Sequence, residues 1–109
     1  RMVSGWEGGD DTVMRSAPCL VVAMAPAQDR NGLVDVTLAL SYLELAAMGY
    51  GLGTCWAGLL QGAMMSIPAL KEAVGVPSDY PHHYPMMIGY SKVRYFRLPE
   101  RKPPKIHWN

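Results

Sequence analysis

The residues best suited to chemistry in this chain are consecutive: Gly49-Tyr50-Gly51-Leu52-Gly53-Thr54-Cys55-Trp56-Ala57-Gly58. Four glycines in ten residues free the backbone for positive φ and let another group approach it closely. One reading is a helix C-cap with a tight turn into the next element. The other is a backbone path shaped around a ligand, because Cys55 and Trp56 bring the turn nothing. Elsewhere there is no Ser/His/Asp set, no carboxylate pair at glycosidase spacing and no metal-ligand cluster. His82 and His83 are adjacent, so in extended backbone they point to opposite faces and do not share a metal; with Pro77, Pro81 and Pro85 around them they are expected in a surface loop. A third reading, a metal site of His82, His83 and a cysteine, lacks a suitable third ligand nearby.

The elements that must hold the glycine stretch come next. Upstream, Asp35 is expected to be the N-cap of a helix running to Met48, its carboxylate accepting first-turn amide hydrogens. The helix is apolar around most of its circumference, with Thr37, Ser41 and Glu44 as a narrow polar stripe. Such a helix needs cover on most sides, and 109 residues offer little, so a partner subunit or further sequence is expected against one face. Before it, Cys19-Leu20-Val21-Val22-Ala23-Met24-Ala25 lies between Pro18 and Pro26 and reads as a strand buried on both faces. Residues 26–34 read as a polar loop, and residues 1–17 as a poorly defined lead-in without periodicity.

Downstream, Leu59 to Ser66 reads as a short helix. A second starts at Ile67-Pro68 and stops at Gly75. Met64 and Met65 suit an adaptable buried surface, core in the first instance or a cavity lining. Tyr84 to Tyr90 reads as a strand. From Ser91 the prolines at 99, 103 and 104 predict an extended arm packed along a surface.

The bulk properties narrow the class. At 109 residues the chain is one domain at most, and 50% apolar with only 17% charged residues it suggests a partly covered surface. Net charge is +1, yet residues 92–105 hold six basic residues and one acid, net +5. That tail suits a solvated face, a ligand phosphate or an acidic partner; nucleic acid is not expected, since no stacking signature accompanies the charge. Cys19 and Cys55 form neither a disulfide framework nor a zinc signature, so a reducing compartment, the cytoplasm, is expected. No signal peptide is read, and no apolar run approaches the roughly 20 residues that span a bilayer, so no membrane partner is expected. Starting on Arg1, the chain reads as a fragment or processed product.

With these motifs in hand, the chain resembles the FMN-dependent nitroreductase family. Leu45-Ala46-Ala47-Met48 and the glycine stretch are similar to that family's flavin-contacting segment, and Gly51 to Gly58 is the specific part. Arg15-Ser16-Ala17-Pro18, Asp35, Leu70 to Pro77, Met87-Ile88-Gly89-Tyr90 and Arg101-Lys102 are also similar, over nearly the whole chain from about Ala17. The closing Arg101-Lys102 with Ile106-His107-Trp108 is like members that carry an iron–sulfur ferredoxin module upstream. The resemblance implies an α+β nitroreductase-like fold, of which residues 1–109 are the C-terminal portion of one domain, residues 92–109 an extended basic arm. It implies a helix-mediated homodimer with FMN at the interface, and no catalytic side chain.

By the same resemblance, Cys55 and Trp56 flank the flavin ring. The backbone of Trp56, Ala57 and Gly58 meets its N5/O4 edge, and Arg101 with Lys102 binds the FMN phosphate. The implied activity is ping-pong electron transfer from NAD(P)H or an iron–sulfur donor to a small-molecule acceptor such as a nitroaromatic or quinone. The family's early arginine/serine-rich segment, which grips phosphate and ribityl chain, has no counterpart in residues 1–17; Arg1 and Arg15 do not make it. The chain alone is therefore expected to lack full activity. The alternative is a non-catalytic dimeric binding or assembly module that has lost flavin, dimerising on helix 35–48 and docking an acidic partner through residues 92–105.

Overall fold

A computed structural model describes residues 2–109; Arg1 lies outside the described residues. The element order is α1 (Met2–Glu7), β1 (Cys19–Ala25), α2 (Gly32–Gly49), β2 (Gly53–Trp56), α3 (Gly58–Ser66), α4 (Pro68–Ala73) and β3 (His82–Gly89). The strands form one antiparallel sheet in the order β1-β3-β2. This is a mixed α+β arrangement in which the last strand is the central one. The run bounded by Pro18 and Pro26 is β1, as expected.

The alternation of β-strand side chains divides the core in two. Leu20, Val22 and Met87 face one side and pack with Ala57, Leu60, Met64 and Val76, the last at the end of the α3–α4 segment. Val21, Ala23, Ala25 and Met86 face the other and pack with Val36 and Leu40 of α2. Both faces of β1 are therefore covered, but its outer edge is open, and only Ala25 is buried there. A strand buried throughout was expected; the edge position is what leaves Leu20 to Ala23 half-buried and Cys19 and Met24 exposed.

Several boundaries differ from the sequence reading. The lead-in contains a helical turn and a half, α1, with Asp11 closing the loop behind it. The Asp11 carboxylate accepts from the amides of Met14, Val13 and Ser16, and the Met14 bond foremost holds its pKa below the usual value. Asp35 is not the cap of α2. The helix begins three residues earlier, with Asn31 at the N-cap position, and Asp35 lies in the first turn, where its charge still opposes the positive end of the helix. The early start makes α2 18 residues long with a mean hydropathy of 1.3, long and apolar enough by length and composition to cross a membrane. Its packing on β1 and β3 accounts for only part of that apolarity, since 22% of the helix is buried.

The helix does not bury its full circumference. Val36, Leu40 and Ala47 are buried, while Val34, Leu38, Tyr42, Leu45 and Met48 form a continuous exposed stripe at helical spacing, Tyr42 being 75% exposed. After α2 the chain reverses at Gly51, whose φ of +71° a side chain would resist, and the Leu52 amide returns to the Ala47 carbonyl at 2.9 Å. The helix-cap reading of the glycines is thus correct for Gly49 to Leu52.

The arm departs furthest. From Ser91 to Asn109 every residue is exposed, and Phe96 is 96% so. It does not pack along this chain's own surface, as expected from its prolines alone. The radius of gyration is 16.8 Å, against about 13 Å for a compact chain of this length, because the arm projects.

Candidate functional site

The end of β2, the start of α3 and the facing part of β3 bring the sequence-marked residues 55–58 together. They are held there by β3. The Ala57 amide donates to the Pro85 carbonyl at 3.0 Å. In an antiparallel ladder the N–H and C=O of one residue point the same way, so Pro85's missing N–H falls on this side too, just past the last β2 pair, Trp56 with Met86. Proline is tolerated in this central strand because β2 has ended. By the same alternation, the Trp56 amide and carbonyl point away from β3 to the open edge.

Trp56 is fixed from three directions. Its indole N–H donates to the Glu44 carboxylate at 3.2 Å, so one member of the polar stripe on α2 sets its orientation. Its ring meets Tyr84 edge to face, with centroids 5.3 Å apart and planes at 72°. The rest packs against the α2-side core. Cys55, one residue earlier, leaves the opposite face of the sheet and is exposed, as is Cys19; both are free thiols. One planar ligand lying on either face therefore meets Trp56 or Cys55, not both, which differs from a ring flanked by the two.

The donors at this corner are backbone groups. Gln61 makes the first helical bond of α3, to the Ala57 carbonyl at 2.9 Å. The Gly58, Leu59 and Leu60 amides ahead of it have no acceptor among the described residues, and Ala57 offers no capping side chain. Three amides at the positive end of a nine-residue helix can receive an anionic or electron-rich edge. The Ala57 amide, expected to join them, is already engaged by Pro85. A Cβ at Gly58 would meet only the Tyr84 hydroxyl, at 3.5 Å, an ordinary contact, so the position itself is uncrowded.

Arg101 and Lys102 stand apart from this corner in the exposed arm, with no hydrogen bond or ion pair among the described residues. Sequence reasoning missed Glu44 and Tyr84 as the groups that position Trp56. The signal was present, since Glu44 is the acid inside an apolar helix and Tyr84 lies next to a proline.

The histidines are not in a surface loop. Both lie on β3, because the strand starts at His82 rather than Tyr84. His82 packs its ring against Gly32 at the start of α2. His83 is 2% exposed on the other face, its Nδ1 3.1 Å from the Gln61 side-chain oxygen. No group of three or more metal-ligand side chains comes together among the described residues. Burial, and then the nearby Lys71 charge, lower the His83 pKa below its ordinary 6.5. The unfolded chain therefore binds this proton more readily. Stability is expected to hold above about pH 7, to fall as pH drops through the unfolded value, and to level off below the folded one. Urea unfolding of the wild type and His83→Gln at pH 5 and 7.5 checks this: the variant should lose less stability between them.

A protein-family model, the nitroreductase family, matches residues 3–90. The match begins upstream of Ala17, where the motifs began, and ends before the basic arm. No curated protein and no solved structure gives a significant match to the chain.

Proposed function

The chain belongs to the nitroreductase family, a family of oxidoreductases that generally use flavin, and from that premise we propose an FMN-dependent oxidoreductase acting as a homodimer. The observation that carries the proposal is the corner at Gly58, where unpaired amides start α3 beside an uncrowded Gly58 and a fixed Trp56. These residues fit the edge of a flat, electron-accepting ring: donors without partners, no side chain in the way, and an aromatic wall. When bound, FMN supplies the redox chemistry, accepting electrons from NAD(P)H or an iron–sulfur donor and passing them to a nitroaromatic, quinone or similar acceptor.

The chain's own groups do the holding and screening. The Gly58 and Leu59 amides favour negative charge at the ring edge, aided by the dipole of α3. Trp56 and Tyr84 keep water from one side. Arg101, with Lys102, grips the phosphate through charge-assisted bonds. Residues 1–91 carry eight acids against four bases, net −4, whereas the arm after Ser91 is net +5. That opposition suits an arm lying on a second copy, with the exposed stripe of α2 as the apolar centre of the contact. The arm then brings Arg101 to the partner's flavin. A chain of this kind works in the cytoplasm, where its two thiols stay reduced.

The test is an absorbance spectrum before and after addition of FMN and desalting. Retained flavin bands support the reading; a protein that stays colourless rejects it. In the flavin-binding protein, Arg101→Ala should weaken FMN about ten- to a hundredfold, the loss of a hydrogen-bonded charge pair, while riboflavin, which lacks the phosphate, binds both variants alike. The second reading, a colourless dimeric module, is favoured by the exposed basic arm, and predicts partner binding that weakens steeply with salt.

A further inference from the structure

On the α3–α4 side of the sheet lies a half-open cavity of about 670 Å³, away from the Gly58 corner. Its size falls in the range of small-molecule sites. Met64 and Val76 form a buried apolar floor, and Met65 stands exposed at the rim. Into this apolar space come few polar groups, and they differ in kind. His83, 98% buried by exposure, borders the cavity with its ring already oriented by Gln61. With Nδ1–H donated to the Gln61 oxygen, Nε2 carries the lone pair. No described residue bonds Nε2, and His83 lines the cavity, which leaves Nε2 for a group held there. Lys71 lines the same cavity, its ammonium 3.4 Å from the Ser78 carbonyl, with two further hydrogens to donate. Glu72 lies at the wall.

An acceptor and a cationic donor lining one apolar space suit a group that both gives and takes a hydrogen bond. A carboxylate would set its oxygens against the Nε2 lone pair. A metal ion would find one imidazole and one carboxylate, short of a set. An aromatic hydroxyl satisfies both groups with a single oxygen, and methionine sulfur favours the aromatic body. We propose that this cavity is a binding site for a small phenol, whose O–H donates to His83 Nε2 and whose oxygen accepts from Lys71, with the ring on Met64 and Met65. The site is separate from the flavin reading and stands or falls without it.

The test uses 4-cyanophenol and its methyl ether, 4-cyanoanisole, titrated into the 109-residue chain without FMN by calorimetry, with the histidine ring signals followed by NMR. The phenol should bind saturably at about millimolar or tighter, as nine heavy atoms allow, shift the His83 ring signals, and bind about tenfold tighter than the ether. Lys71→Met should weaken the phenol about tenfold; it sits at the wall, so it serves even if His83→Gln unfolds. Gly58→Val should bind the phenol as the wild type does. No saturable binding, equal affinity for phenol and ether, an unchanged Lys71→Met, or loss of binding in Gly58→Val, which would move the ligand to the other corner, each overturns the proposal.

Discussion

Gly58→Val is expected to leave the protein folded and strip it of flavin. The backbone at Gly58 does not have positive φ, and an added Cβ makes only an ordinary contact with the Tyr84 hydroxyl at 3.5 Å. Within the chain, valine at the first turn of α3 costs nothing in helix propensity, since glycine is the poorer helix former. Toward the ligand the same branched side chain stands over the Gly58 and Leu59 amides. Crowding of a close contact costs about 1–3 kcal/mol, roughly a ten- to hundredfold loss of affinity. Circular dichroism and urea unfolding check the fold, and flavin retained after desalting checks the site. A folded variant that keeps its colour would remove Gly58 from the cofactor site.

Leu45→Asp is expected to give a monomer of about 12 kDa where the wild type runs at twice that mass. Leu45 sits in the middle of the exposed stripe between Tyr42 and Met48, so its replacement harms nothing inside the subunit. Across an apolar contact the carboxylate would be desolvated without a partner, at a cost of several kcal/mol, or at least a hundredfold in dimer affinity. Light scattering coupled to gel filtration reads the mass. If the flavin lies at the subunit contact, colour is lost with the dimer. A wild type already monomeric at micromolar concentration would instead leave the stripe to another partner.

How much of this was legible in the sequence varied with how local the cause was. β1 could be read because prolines bound it on both sides, and α4 because Pro68 starts it and Gly75 ends it. β2 was invisible as a strand: four residues beginning with a glycine acquire their form only by pairing with β3. Pro85 hid the true start of β3, since a proline inside a central strand is acceptable only where the neighbour has stopped, and that is a fact of tertiary structure. The same miss put His83 in a loop when it is among the most buried residues of the chain. At the candidate site, residues 55–58 were marked by composition, but the split of Cys55 and Trp56 onto opposite faces needed the strand, and the engagement of the Ala57 amide needed its partner.

The strand order β1-β3-β2 also sets a timetable. β1 and β2 are both made before the strand that joins them, and nothing else in the sheet can pair them. On the ribosome the first three-quarters of the described chain must wait with two unpaired strands and an apolar helix until residues 82–89 emerge. Contacts this distant in sequence close slowly, and exposed edges invite association in the interval. A chain cut before His82 has no sheet at all, so the nascent protein has every reason to be guarded by a chaperone until its last strand is released.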